Sequence, residues 1–102
     1  MYEIVISRIA LNDIVSISEY IKNRFDNPLA AISFRENVRE KILSLSDFPE
    51  RYEKINIGKI YCHKVCVKNF NIYYSVNKSD HKVTIARVLY SGMDINQVAI
   101  IN

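Results

Sequence analysis

The chain has 102 residues, 49% of them hydrophobic, with a formal net charge of +3 at pH 7. A chain of this length buries about two-thirds of its unfolded surface, which suffices for one modest core and not for two. No apolar stretch approaches the roughly 20 residues of a membrane span, and the N-terminus lacks a signal-peptide pattern. We therefore expect a single cytoplasmic domain over residues 1–102, with no membrane partner.

The charge is distributed unevenly along the chain. Residues 1–50 carry six basic and eight acidic side chains, whereas residues 51–102 carry eight basic and three acidic ones. The positive field of the second half suits a polyanion or an acidic protein segment as a partner. A solubilising face of lysines would give the same pattern, so charge alone leaves both interpretations open.

The first half of the chain begins with the pattern of a strand and a helix. Residues 2–7 alternate apolar and polar side chains, as a half-buried strand does. Ser7 is suited to cap the helix that follows. That helix is predicted to have about four turns and one apolar stripe, formed by Ala10, Ile14, Ile17, Ile21 and Phe25.

A short break at residues 26–28 separates this helix from a second one. Asn27 suits an N-cap and Pro28 suits the first helical position, so the second helix is predicted over residues 27–46, antiparallel to the first. Pro49 ends it, because the residue before a proline is pushed out of helical geometry. The predicted buried face consists of Ala31, Phe34, Val38, Ile42 and Leu45.

The second half of the chain has the period of strands. After an irregular link at residues 50–57 and a turn at Gly58, residues 60–67, 70–76 and 83–90 alternate as strands and are joined by turn-like segments. The predicted fold is α+β: an N-terminal strand, an antiparallel helical hairpin and a three-stranded antiparallel meander, with the helices on one face of the sheet. The apolar tail, residues 95–102, is expected to dock on the core; a covering extension and a partner-binding segment are the alternatives.

The two cysteines are expected to be free thiols. On one strand rising roughly 3.3 Å per residue, Cys62 and Cys66 would stand about 13 Å apart, beyond the Cα separation that a disulfide spans. Alternation points His63 to the opposite face of the strand from both sulfurs. We therefore expect no metal site, and buried or half-buried structural cysteines instead.

Three segments resemble the toxins of bacterial ParE/RelE toxin–antitoxin pairs: Asn-Pro-Leu-Ala-Ala-Ile-Ser-Phe at residues 27–34, Leu-Ser-Asp-Phe-Pro-Glu-Arg-Tyr at 45–52, and Ala-Arg-Val-Leu-Tyr-Ser-Gly-Met-Asp at 86–94. The resemblance spans nearly the whole chain and implies the same β-α-α-β-β-β order. It also implies a cognate antitoxin as partner, a toxin–antitoxin hetero-oligomer and no cofactor. Members of the family divide into poisons of DNA gyrase and ribosome-dependent mRNA nucleases.

The resemblance to the RelE-like nucleases is incomplete at the positions that would carry chemistry. Lys64 falls where those nucleases have a basic residue, but Asn71 and the pair Gly92-Met93 stand where they have arginines. Metal-free cleavage of RNA needs closely placed groups that activate, stabilise and protonate. The nuclease alternative would rest on Lys64, Arg87 and Tyr90.

The end of the chain is more similar to a ParE-type toxin, in which an Arg-Val-Leu segment leads into a turn and an aspartate. That similarity implies a toxin that binds and poisons DNA gyrase without nuclease chemistry. The alternatives are a RelE-like endoribonuclease acting on the ribosome and a non-toxic interaction domain that keeps the fold. The residues predicted to bind a target or an antitoxin are Lys59, Tyr61, Lys64, Lys68, Tyr73, Arg87, Tyr90, Met93 and Asp94.

Some candidate residues have a structural interpretation as well. Arg87 is suited either to bind a partner's carboxylates or to pair with Asp94 or Glu3 at the sheet edge. Tyr74 is expected in the core, while Tyr61 and Tyr73 are expected on the surface. Of the two histidines, His81 is predicted in a hairpin turn and His63 as a solvated strand residue or a general base.

Overall fold

Two helices pack on one face of a five-stranded sheet in this computed structural model, which describes residues 1–93 and 95. The strand order is β1-β5-β4-β3-β2, with β1 parallel to β5 and every other neighbouring pair antiparallel. The predicted α+β architecture is confirmed. In chain order the elements are β1 (Glu3–Ile6), α1 (Arg8–Arg24), α2 (Pro28–Ser44), a 3-10 turn (Pro49–Arg51), β2 (Glu53–Ile57), β3 (Ile60–Val67), β4 (Phe70–Asn77) and β5 (Lys82–Tyr90).

The segment expected to be an irregular link forms an edge strand instead. β2 pairs with β3 from Glu53 opposite Lys64 to Ile57 opposite Ile60, so the meander has four strands. Only Ile55 and Ile57 alternate with polar residues here, a pattern too short to indicate a strand by itself. Pairing with β3 gives these five residues their extended conformation.

Side-chain caps fix where both helices begin. The Ser7 Oγ accepts a hydrogen bond from the Ala10 N–H at 3.0 Å, and the Asn27 Oδ1 accepts one from the Ala30 N–H at 3.0 Å. Each bond satisfies a donor that has no partner within the helix. Both predicted caps are confirmed, and α2 ends two residues earlier than predicted.

The main core lies between the helices and the sheet. All five residues predicted on the buried face of the second helix are buried, whereas α1 contributes Ala10 and three half-buried isoleucines. Phe25 was predicted to complete the stripe of α1 but is 64% exposed. It follows the last residue of that helix and acts as its C-cap, so it no longer points along the stripe. The sheet contributes Ile72, Tyr74, Val83, Ile85 and Val88 to this core.

A second, smaller apolar cluster covers the other face of the sheet. Cys62, Tyr73 and Leu89 are buried there, and Ile95 packs against them together with the isoleucines of β2. The sheet is therefore apolar on both faces. The expected docking of the tail holds for Ile95; residues 96–102, and with them the rest of that prediction, lie outside the described residues.

The connection from α2 to β2 contains an unusual backbone conformation at Phe48. Its φ is +48°, in the left-handed region, which a residue with a β-carbon enters at a cost of about 1–3 kcal/mol. The next residue, Pro49, is buried, and its carbonyl accepts a hydrogen bond of 2.6 Å from the Tyr74 hydroxyl. A strained turn is thus tied directly to the core.

Candidate target and antitoxin interface

Two of the predicted site residues flank a buried tyrosine on neighbouring strands. Lys64 on β3 lies opposite Tyr73 on β4, which in turn lies opposite Arg87 on β5. Lys64 also forms an ion pair of 3.8 Å with Glu53, which remains partly exposed and is worth at most about 1 kcal/mol. Lys64 and Arg87 are therefore in register across the sheet, one strand to either side of Tyr73.

Arg87 makes a two-pronged contact with Asp13 of α1. Its Nε and Nη2 donate to the two carboxylate oxygens at 2.8 and 2.9 Å, and each side chain is 14% exposed. Hydrogen bonding to Asp13 raises the pKa of the guanidinium above its ordinary value. This arrangement replaces the predicted pairing with Glu3, which lies opposite Lys82 at the far end of β5. Asp94, the other predicted partner, lies outside the described residues.

Ser7 and Asp13 form hydrogen bonds with the backbone of β5 beyond the point where β1 ends. β1 pairs with β5 only as far as Ile85. Beyond that point the Ser7 Oγ donates to the Ala86 carbonyl at 3.1 Å, and the Val88 N–H donates to Asp13 at 3.0 Å. The N-terminal part of α1 therefore provides partners for backbone groups of β5 that would otherwise be open for pairing with another chain.

Tyr90 and Lys64, both in the predicted nuclease set, lie on different faces of the sheet. It is opposite Phe70 and contacts that ring edge-to-face, with centroids 6.1 Å apart. Phe70 packs against the main core, on the helical face, whereas the residue opposite Lys64, Tyr73, belongs to the cluster on the other face. The cross-strand pairs therefore place Tyr90 on the other face of the sheet from Lys64.

The exposure of the tyrosines agrees with the sequence-based prediction for Tyr61 and Tyr74 and disagrees for Tyr73. Tyr61 is 70% exposed and Tyr74 is fully buried, as predicted. Tyr73 was expected on the surface but is 2% exposed, and its hydroxyl accepts a hydrogen bond from the Asn71 amide at 3.3 Å. The expectation was wrong because the sheet carries a second apolar cluster on that face, which alternation alone does not reveal.

The two histidines lie in different surroundings, and His63 is not a solvated strand residue. His63 is buried, its Nδ1 lies 3.0 Å from the Tyr52 carbonyl, and its ring stacks on Tyr74 at 5.2 Å. His81 lies in the turn between β4 and β5, as predicted, and stacks on Tyr2 at 4.1 Å. Both rings pack structural elements together, so His63 is a packing residue of the core.

The remaining predicted contact residues are spread over the surface. Lys59 and Lys68 are exposed in turns at opposite ends of β3, a strand about 26 Å long. Met93 is 46% exposed just after β5. Lys59, Lys68 and Met93 therefore do not form one surface patch with Lys64 and Arg87.

A groove that the sequence did not indicate lies at one end of the helical hairpin. It has a volume of about 690 Å³ and joins the last turns of α1 to the start of β4 and the end of β5. Tyr20 and Phe25 expose 56% and 64% of their surface beside it. The one sequence feature that could have indicated the groove is the position of Phe25 just after the end of α1. The apolar side chains that line the groove are Ile17, Tyr20, Ile21, Phe25, Phe70 and Tyr90.

The two thiols are expected to react at very different rates. Both are free; Cys66 is exposed, whereas Cys62 is buried and its burial raises the pKa of the thiol, which lowers the thiolate fraction. With a disulfide reagent at pH 8 we expect one fast equivalent, abolished in Cys66→Ser, and a second equivalent only after unfolding. Two fast equivalents in the native protein would contradict the burial of Cys62.

Two further findings concern the part of the chain that the structure describes. Residues 1–93 and 95 contain no group of three or more His, Cys, Asp or Glu side chains arranged to hold a metal ion. Within the same residues, neither helix combines the length and apolar character needed to cross a bilayer.

Comparison of the chain with known proteins identifies its family. The model of the ParE toxin of the type II toxin–antitoxin system parDE matches residues 4–95. No match to the sequence was found among curated proteins.

Solved structures with the same fold include three toxin–antitoxin systems. The chromosomal ParDE system of P. aeruginosa aligns with a TM-score of 0.72 at 14% identity, covering 88% of this chain and 96% of that one. The RelBE2 complex of Mycobacterium tuberculosis gives 0.64 at 16%, with 87% and 96% covered. The archaeal RelE–RelB complex of Pyrococcus horikoshii gives 0.54 at 19%, with 91% and 98% covered. By the family match over residues 4–95, the chain belongs to the ParE toxins of type II toxin–antitoxin systems.

Proposed function

We propose that this toxin acts by binding and poisoning DNA gyrase, and that it has no nuclease activity of its own. The absence of nuclease activity is inferred from the contact between Arg87 and Asp13, and the choice of gyrase from the family match to ParE toxins. A cation that stabilises a phosphoryl transition state must point its donors at the phosphate. Arg87 instead directs two donors to a carboxylate of its own fold.

The rest of the nuclease set supports the same conclusion. Tyr90 lies on the helical face of the sheet, so it is not placed to protonate a leaving group held by Lys64. Asn71, which stands where the nucleases carry an arginine, is buried against Tyr73. Loss of one preorganised donor commonly costs a hundredfold or more in rate. Lys64 alone is therefore a poor basis for mRNA cleavage.

The antitoxin is proposed to occupy the groove beside Tyr90. The groove is open and apolar, and Tyr20 and Phe25 border it with much of their surface exposed. Such a surface suits a segment that folds on binding and inserts apolar anchors along one face. The similar solved structures are complexes of a toxin with an antitoxin. We therefore propose a toxin–antitoxin hetero-oligomer.

Pulse-labelling after induction of this chain without an antitoxin tests the proposed target. A gyrase poison stalls replication directly, so we expect thymidine incorporation to fall within minutes, before methionine incorporation does. The order of the two losses is the readout. If methionine incorporation falls first, the toxin acts on translation and the gyrase proposal is wrong.

Two substitutions separate gyrase binding from mRNA cleavage. We expect Lys64→Ala and Tyr90→Phe each to keep growth arrest, because a gyrase poison performs no cleavage itself and we propose that its contacts with gyrase lie elsewhere on the chain. A nuclease would lose about a hundredfold or more in activity from either change. If the unaltered chain causes no growth arrest, the alternative of a non-toxic interaction domain is favoured.

A further inference from the structure

Phe48 combines a strained backbone with an exposed aromatic ring. Its φ is +48° and 81% of its surface is exposed. Three other non-glycine residues have a positive φ in the described part of the chain: Asp26, Lys68 and His81. All three are polar residues in turns or loops, and Asp and His adopt a positive φ more often than most residues do. Of these four residues, Phe48 is the one with an apolar side chain.

The turn that carries Phe48 is held in place from several sides. The Arg51 Nη1 donates to the carbonyls of both Asp47 and Phe48, and the Arg51 guanidinium lies over the Tyr52 ring, 4.7 Å from its centroid. Pro49, which follows directly, is buried and accepts the hydrogen bond from Tyr74. The exposure of the Phe48 ring is thus a property of a fixed turn.

The fold gains little from a phenyl ring at this position. Glycine adopts a positive φ without a steric penalty, and an exposed aromatic ring buries little surface within the chain. Strained residues that the surrounding structure holds in place are concentrated at functional sites. A ring that is both strained and exposed therefore indicates a use outside the chain.

We propose that Phe48 is an aromatic anchor that inserts into an apolar pocket on a protein target. The exposed side chain of Met1 lies beside it on a shallow depression of about 570 Å³. The exposed acidic residues Asp47 and Glu50 flank the turn. Glu50 pairs with Lys78 at 3.4 Å and the cationic Arg51 belongs to the same turn, so the acidic and basic charges around Phe48 offset each other. Stacking on nucleic-acid bases is usually accompanied by an excess of positive charge that binds the phosphate backbone, so a protein pocket is favoured here.

The anchor lies far from the groove proposed for the antitoxin. Phe25 and the groove lie just before α2, whereas Phe48 follows its other end, and a helix of 17 residues is about 25 Å long. We therefore assign Phe48 to the toxin's cellular target, a step that rests on the proposed function. Its loss should weaken target binding and leave the antitoxin complex intact.

Replacement of Phe48 by glycine separates the ring from the backbone. Phe48→Gly removes the anchor while allowing a positive φ, so its melting temperature should equal or exceed that of the unaltered chain. We expect growth arrest to require at least about tenfold more toxin, because truncating a central anchor commonly costs that much affinity. Phe48→Tyr, which keeps the ring, and Leu29→Ala, an exposed apolar residue elsewhere, should arrest growth normally. Full toxicity of Phe48→Gly would overturn the proposal.

Photocrosslinking tests the anchor independently of toxicity. With p-benzoylphenylalanine at position 48, we expect one crosslinked protein other than the antitoxin, which is not crosslinked from position 29. That protein, once purified, should bind Phe48→Gly at least about tenfold more weakly than the unaltered chain. Crosslinks only to the antitoxin, only to nucleic acid, or to nothing would overturn the proposal. If the unaltered chain does not arrest growth, the proposed function fails, and the crosslink and binding results decide on the anchor.

Discussion

Replacing Asp13 with alanine should destabilise the fold by about 3 kcal/mol or more. Asp13 is the carboxylate partner of Arg87 and the acceptor for the Val88 N–H, so its removal leaves a largely buried guanidinium and a backbone donor without this partner. The midpoint of urea unfolding measures the effect. A loss below about 1 kcal/mol would show that the pair contributes no more than a surface ion pair.

A double-mutant cycle provides the control for this prediction. Arg87→Met removes the charge that Asp13 compensates, so Asp13→Ala should cost much less in the Arg87→Met background than alone. Asp13→Asn, which keeps an oxygen for the Val88 N–H, should be intermediate. Equal effects of Asp13→Ala in both backgrounds would show that the two side chains do not stabilise each other.

Tyr74→Phe should destabilise the protein by about 1–3 kcal/mol, because it leaves the buried Pro49 carbonyl without its donor. Tyr61→Phe is the matched control, since Tyr61 is 70% exposed and its hydroxyl should contribute little. Thermal unfolding of both variants measures the difference. If the two variants melt alike, the hydrogen bond between Tyr74 and Pro49 does not hold the turn before β2.

The same tyrosine predicts a dependence of stability on alkaline pH. Burial raises the pKa of Tyr74 well above its usual value of 10. Its contribution to stability is therefore fully present below pH 10 and is lost as the pH rises from there towards the folded-state pKa, because only the unfolded state ionises readily. We expect the unaltered protein to lose more stability than Tyr74→Phe between pH 10 and 11.

Periodicity predicted the helices well because their caps and buried faces are local properties. The caps Ser7 and Asn27 are correct, and so is the whole buried face of α2. β2 was missed because a five-residue edge strand owes its conformation to pairing with β3. The parallel pairing of β1 with β5 depends on residues 79 positions apart, and no local pattern reports it.

The candidate site was harder to predict than the fold. Arg87 was expected to bind a carboxylate, but its partner Asp13 lies 74 residues earlier in the chain, on a helix. Tyr73 was misplaced because alternation gives the face of a side chain and not what covers that face. Phe48 gave no signal, because a positive φ at phenylalanine is set by the turn around it.

The pairing of β1 with β5 also determines when the protein can fold during synthesis. The first strand gains its neighbour only when residues 82–85 have been made, so the sheet stays incomplete until the last strand emerges. Any chain that terminates before residue 82 lacks the strand that links β1 and α1 to the meander. Prematurely terminated products of this gene should therefore remain unfolded.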